Sequence, residues 1–257
     1  MSRSPAVRRA AAVLATVLLA GAAGCSSEGD RPAARPSRSP TATSASPTPA
    51  DPPRVYVAVG ASETVGVGAD DPATQAWPRV LHDRALAGTR FVDVGVSGAT
   101  VRDALTGQLA RALAEDPDVV TVWLAVNDAL SLVPVADYEQ SLGNLVHALR
   151  QGGRTEVLVA NVPPLDRLPA YRACLPGSEV TDVPCALPLV PSPAEVRATV
   201  ADFNAAIGRV AAREGAVLVD LSAERDLAAL TSDDGFHPSI RGHRAVARAF
   251  AAALRSG

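Results

Sequence analysis

Residues that could carry out acyl chemistry stand at recurring places along this chain. Ser62 lies in Gly60-Ala61-Ser62-Glu63, directly after the apolar run VYVAV that begins at Val55. Asp234 and His237 share the segment SDDGFHPS, three positions apart. Asn127-Asp128 follows the run VVTVWLAV, and Gly98 sits in the small-residue stretch GVSGAT that follows FVDV. A hydroxyl, an imidazole, a carboxylate to orient the imidazole and donors for a developing oxyanion are the parts that acyl transfer through a serine needs. Each residue also has a plainer use. Ser62 could cap a helix or close a turn, and Gly98 could serve only a tight strand-to-helix connection. Asn127 and Asp128 could be turn residues, and His237-Pro238 could be a helix entrance. Only their joint placement argues for chemistry.

The elements that must position them are legible from periodicity. Five short β-branched runs begin at Val55, Phe91, Val119, Val157 and Ala216. Between them lie segments with helical spacing. One carries Leu105, Leu109 and Leu113, with Thr100 as its cap and Asp103 three positions on. The next carries Tyr138, Leu142, Leu145 and Leu149, and a third carries Val196, Val200, Phe203, Ile207 and Val210. The last carries Ile240, Val246, Phe250 and Leu254, with Pro238 expected at its first position. A further helix is expected from Trp77 to Leu86. Strands apolar on both faces, alternating with helices, imply right-handed crossovers and a parallel sheet covered on both sides. The expectation is an α/β fold, a three-layer α/β/α sandwich on a five-stranded, mainly parallel sheet. In such sheets ligands bind beyond the carboxyl ends of the strands, which is where all the candidate residues fall.

Ser62 in GASET, Gly98 in GVSGAT, Asn127 in AVND and Asp234 with His237 in DGFH together resemble the four sequence blocks of the GDSL family, also called SGNH hydrolases. The resemblance runs from Val55 to about Leu254. It implies a flavodoxin-like sheet and serine esterase activity, with Ser62 as nucleophile, His237 as general base and Asp234 orienting it. It also implies an oxyanion hole made by the N–H groups of Ser62 and Gly98 and the Asn127 amide, with no metal and no cofactor. The chain departs from the family pattern twice: Ala61 stands where Asp is usual, and Ala125 where Gly is usual. His243 is expected to be a surface or supporting residue, and Asp128 to support its loop. His82 and His147 fall on helices away from the strand ends. Asp233 rivals Asp234, but the Asp-x-x-His spacing favours the latter.

The N-terminus reads separately. Arg3, Arg8 and Arg9 precede an apolar run that ends in Ala-Ala-Gly-Cys, the pattern of an export signal. It resembles a bacterial lipobox, with Cys25 as the lipidated residue. Residues 1–24 are therefore expected to be a signal peptide and 25–53 a lipidated cysteine with a Ser/Pro/Thr/Ala-rich tether too poor in apolar residues to build a core. Residues 54–257 are expected to form the hydrolase domain. The expected location is the outer face of the cell membrane, or the medium if Cys25 is not lipidated. In an exported chain, Cys174 and Cys185 are expected to form a disulfide. With 24 basic residues, all Arg, against 27 acidic ones and no basic stripe, nucleic acid is not an expected partner. The expected partner is a small-molecule, lipid or carbohydrate ester met by a monomer, and hydrolysis and transfer to another alcohol both remain open. The competing reading is a catalytically weak or inactive envelope lipoprotein that keeps the fold and binds a glycan or lipid. The Pro-rich segment 161–193 follows the fourth strand and is expected to lie near the site and govern selectivity.

Overall fold

The architecture follows from central strands that bury both faces. The computed structural model describes residues 54–255 apart from 188 and 225; the segments read as signal and tether, with Cys25, lie outside the described residues. Strands β1 (Val55–Gly60), β2 (Arg90–Asp93), β3 (Val119–Trp123), β4 (Glu156–Ala160) and β5 (Val217–Val219) form one sheet in the order β2-β1-β3-β4-β5. Every pairing is parallel. This is the flavodoxin-like strand order, whose reversal beside β1 opens a crevice at the carboxyl ends.

Side chains alternate across the sheet with period two. Val57, Val59, Val120, Val122, Val157 and Val159 face one layer. There they meet Tyr138, Leu142 and Leu145 of the Val135–Arg150 helix, and Phe203, Ile207 and Val210 of the Pro193–Glu214 helix. Tyr56, Ala58, Val119, Trp123, Leu158 and Ala160 face the other layer, where Trp77, Leu81 and Phe250 from the Trp77–Ala85 and Ile240–Leu254 helices close the core. Trp77 stacks on Phe250 with ring centroids 4.3 Å apart. The result is the expected three-layer α/β/α sandwich.

Two local expectations need correction. Pro238 does not begin the last helix: Ser239 is its cap, accepting from Gly242 N–H, and the helix starts at Ile240. Pro238 instead bridges antiparallel to Thr231 and closes the preceding loop. In the helical stretch 101–114, the line turned fully inward is Ala104, Gln108 and Ala112, while Leu105, Leu109 and Leu113 pack at its flanks. A π-helical turn over Ala104–Gln108 widens the winding and delivers the Gln108 amide to the core.

Candidate active site

Ser62 stands where β1 runs out into a single helical turn, Ser62–Val65. The turn is tight enough that a Cβ at Gly60 would lie 2.0 Å from Thr64 Oγ1, so only glycine fits. Gln108 holds this end of the strand with both halves of its amide: Oε1 accepts from Gly60 N–H at 3.0 Å and Nε2 donates to Gly60 C=O at 2.9 Å. The serine is thereby fixed two residues from a buried, fully paired backbone group.

Asp234 and His237 stand on a loop, 231–238, that closes on itself. Ser232 N–H donates to His237 C=O at 2.8 Å. Asp234 Oδ1 accepts from Ser232 Oγ and from the N–H groups of Phe236 and His237, at 2.8 to 2.9 Å. Its Oδ2 meets His237 Nδ1 at 2.6 Å. His237 Nε2 then lies 3.0 Å from Ser62 Oγ. Partial burial alone would raise the Asp234 carboxyl, but the hydrogen bonds from His237, Phe236 N–H, His237 N–H and Ser232 outweigh it and hold it at about 2. A carboxylate on Nδ1 keeps the proton there and leaves Nε2 able to accept from the serine. Asp234, and not Asp233, meets the imidazole.

This loop is braced from outside by the Pro-rich segment. Ala170 N–H donates to Gly235 C=O at 3.0 Å. Leu168 and Tyr171 pack with Leu227, and Phe236 joins the cluster. Cys174 and Cys185 are disulfide-bonded across 11 positions within the same segment.

On the far side of Ser62, Gly98 adopts φ +80 in an open space, so the backbone conformation and not crowding calls for glycine there. Among the described residues no backbone carbonyl accepts from the N–H of Ser62 or Gly98. Asn127 Nδ2 donates to Ala99 C=O at 3.0 Å, which ties the amide to the Gly98 loop; an amide nitrogen has a second hydrogen to offer. Asp128 is buried, and its two oxygens accept from Val101 N–H at 3.2 and 3.1 Å. It anchors a helix start whose other orphan groups Thr100 and Asp103 satisfy as a capping box. Burial, set against the Val101 hydrogen bond, pushes the Asp128 carboxyl up to about 6. Ala125, where the sequence pattern favours glycine, has φ 154, a conformation that strains any residue with a Cβ.

Three site residues escape a reading of periodicity and motifs. Gln108 is one. His243 is the second: expected at the surface or in support, it is fully buried and supports, accepting from Trp77 N–H at Nδ1 and pairing through Nε2 with Val67 C=O. That pattern requires a neutral ring, and burial first among its causes lowers its basicity. Glu63 is the third. Its Oε2 accepts from Ser62 Oγ at 3.3 Å, so one hydroxyl proton faces two acceptors. Desolvation raises the Glu63 carboxyl, against the opposing pull of its own N–H, His237 and Ser62. Its acidic side chain directly after the serine was the signal available in the sequence. Among the described residues, no cluster of three or more His, Cys, Asp or Glu could hold a metal ion.

Residues 58–245 match the GDSL-like Lipase/Acylhydrolase family. A search of curated proteins finds no match. Among solved structures, TesA is similar with a TM-score of 0.60 at 22% identity, over 79% of this chain and 99% of that one. An extracellular lipase from Streptomyces rimosus gives 0.55 at 22%, over 79% and 99%. An acetyl xylan esterase variant from Geobacillus stearothermophilus gives 0.57 at 20%, over 78% and 94%. At these identities the structural likeness speaks for the fold.

Proposed function

The chain belongs to the GDSL-like lipase/acylhydrolase family and is an ester-hydrolysing serine hydrolase; from that premise we propose that it works through an acyl-enzyme on Ser62. The observation that carries this reading is the unbroken line Asp234 Oδ2, His237, Ser62 Oγ, with contacts of 2.6 and 3.0 Å. As Ser62 Oγ attacks the ester carbonyl, its proton passes to His237 Nε2, and Asp234 stabilises the imidazolium that results. The carbonyl oxygen gains negative charge and takes hydrogen bonds from Ser62 N–H, Gly98 N–H and the second hydrogen of the Asn127 amide. A donor of this kind is worth about 3 kcal/mol in the transition state. His237 returns the proton to the leaving alcohol, and the acyl group remains on Ser62. Water then repeats the sequence: His237 takes its proton, the acid leaves, and Ser62 is regenerated.

The test is hydrolysis of nitrophenyl acetate and butyrate by residues 26–257, wild type and Ser62→Ala. The expected loss in kcat is on the order of 10⁶-fold. Undiminished turnover in the variant would remove Ser62 from the mechanism. A folded wild type without turnover would favour the binding lipoprotein.

The setting of this activity is a proposal of the same kind. The basic, apolar and Ala-Ala-Gly-Cys order supports export and attachment through Cys25. In the native host, Cys25→Ala is expected to move the protein from the membrane fraction to the medium, and an unchanged distribution would contradict the anchor.

A further inference from the structure

Beside Ser62 lies a cavity of about 270 Å³ over the carboxyl ends of β3, β4 and β5. Its walls are mainly apolar: Trp123, Leu165, Leu168, Leu227, Phe236 and Val246 are among them. It adjoins the reacting pair through their chain neighbours. Phe236 and Pro238, the two neighbours of His237, both line it. So does Glu63, whose carboxylate reaches Ser62 Oγ. Among the described residues, the charged ones of the wall are Glu63, Asp220 and Glu224. Asp220 is turned to its own neighbours, accepting from Asn161 Nδ2 at 2.8 Å and Ser222 Oγ at 2.6 Å. Glu63 is the acidic residue that joins cavity to nucleophile.

We propose that this cavity receives a hydrocarbon arm of the ester and that Glu63, at its mouth, is a specificity-determining residue that sets which arms enter. The proposal rests on Ser62 being the nucleophile. An uncharged chain of medium length fits the apolar walls, whereas an arm ending in a carboxylate meets the acids Glu63 and Asp220. When Glu63 is ionised, a chain passing it must displace water from the carboxylate, which opposes the gain from burying each methylene. When Glu63 is neutral, that opposition falls away. Desolvation makes the neutral form easier to reach than for an exposed glutamate. The titratable groups facing Glu63 are His237, backed by Asp234, and Asp220 and Glu224 across the cavity. The ratio of long-chain to short-chain kcat/KM cancels whatever acts on every ester alike, and Glu63→Gln separates Glu63 from Asp220 and Glu224.

The experiment measures kcat/KM for nitrophenyl esters from acetate to decanoate and, in a second series, for acetates of alcohols from ethanol to decanol. In the wild type one series is expected to rise by up to about fourfold per methylene until the cavity is filled. The series that rises identifies whether the acyl or the alcohol arm enters. Ala245→Phe, which adds a ring inside the wall, is expected to end that rise at shorter chains while leaving acetate within about twofold; Ala249→Leu is a smaller version should the first not fold. Glu63→Gln is expected to raise the octanoate-to-acetate ratio (or the octyl-to-ethyl ratio) about tenfold at pH 8. In the wild type this ratio is expected to fall as pH rises, and in Glu63→Gln to stay level. Quenching of Trp123 by bromo-octanol, lost in Ala245→Phe, reads the cavity without turnover. A chain-length profile indifferent to both Ala245 and Glu63 would overturn the proposal, as would absence of quenching. Loss of all turnover with quenching intact would instead sink the assignment of Ser62 and leave the cavity standing.

Discussion

Ser62 stands on a turn rooted in the core, whereas Asp234 and His237 stand on a loop tied chiefly to itself. On the serine side, Gly60 is paired to β3, held by the Gln108 amide and packed against Thr64. These contacts are buried, and none can be lost without opening the sheet end. On the histidine side, one carboxylate oxygen gathers three hydrogen bonds within a few residues of chain. The bracing there comes from the disulfide-bearing segment through Ala170 and Gly235. The Asp234 side chain is itself nearly half exposed. The difference teaches that a serine at a strand end takes its position from the fold, while the histidine that meets it takes its position from local turn chemistry and an outside brace. Local opening should accordingly differ between the two regions.

Among variants of the residues that hold Ser62 and His237 in place, the largest effect is expected from the exposed side. Asp234→Asn keeps the size but returns the wrong hydrogen-bonding partner to Nδ1, and kcat should fall about 10⁴-fold. Steady-state kinetics on nitrophenyl butyrate checks this, and a loss below about tenfold would mean that something else orients His237. Next comes the brace. Replacing both Cys174 and Cys185 by Ser should lower stability by about 2–3 kcal/mol on the chain-entropy account. Denaturant unfolding measures that cost. Hydrogen exchange should quicken at 231–238 and not at 60–66, and a uniform increase would break the comparison.

A smaller cost is expected at the rooted side. Gln108→Leu leaves the N–H of Gly60 without the amide that now satisfies it, for about 2 kcal/mol of stability. Here exchange should quicken at 60–66 while 231–238 is unchanged. The smallest effect is a gain. Ala125→Gly removes a Cβ from a backbone conformation that disfavours it and should stabilise by about 1 kcal/mol, read as a rise in Tm. A destabilised Ala125→Gly would mean that the methyl contributes more in packing than the strain costs.

What could be read from the sequence follows the same division. The five strands are legible because their runs are short, rich in β-branched residues and set between helical patterns, and the Asn-Asp and Asp-x-x-His segments because turn chemistry is written in adjacent residues. The Thr100–Asp103 capping box and the Cys174–Cys185 pair were legible for the same local reason. Gln108, His243 and Glu63 were not given their places. A buried polar side chain interrupts the hydrophobic pattern that locates it, and its partners lie far along the chain: 48 residues from Gln108 to Gly60 and 166 from His243 to Trp77. The π-helical turn before Leu109 shifted the inward face by one position, which no 3.6-residue periodicity anticipates. Pro238 was misplaced by two positions because a proline before a helix serves as well outside the cap as within it.

The most direct test of the account is covalent. Wild-type protein is incubated with a fluorophosphonate, digested and mapped by mass spectrometry, with Ser62→Ala and His237→Ala alongside. The account predicts one adduct, on the peptide containing Ser62, absent from the first variant and greatly slowed in the second. A folded wild type that stays unlabelled, or an adduct on a different serine, would contradict it.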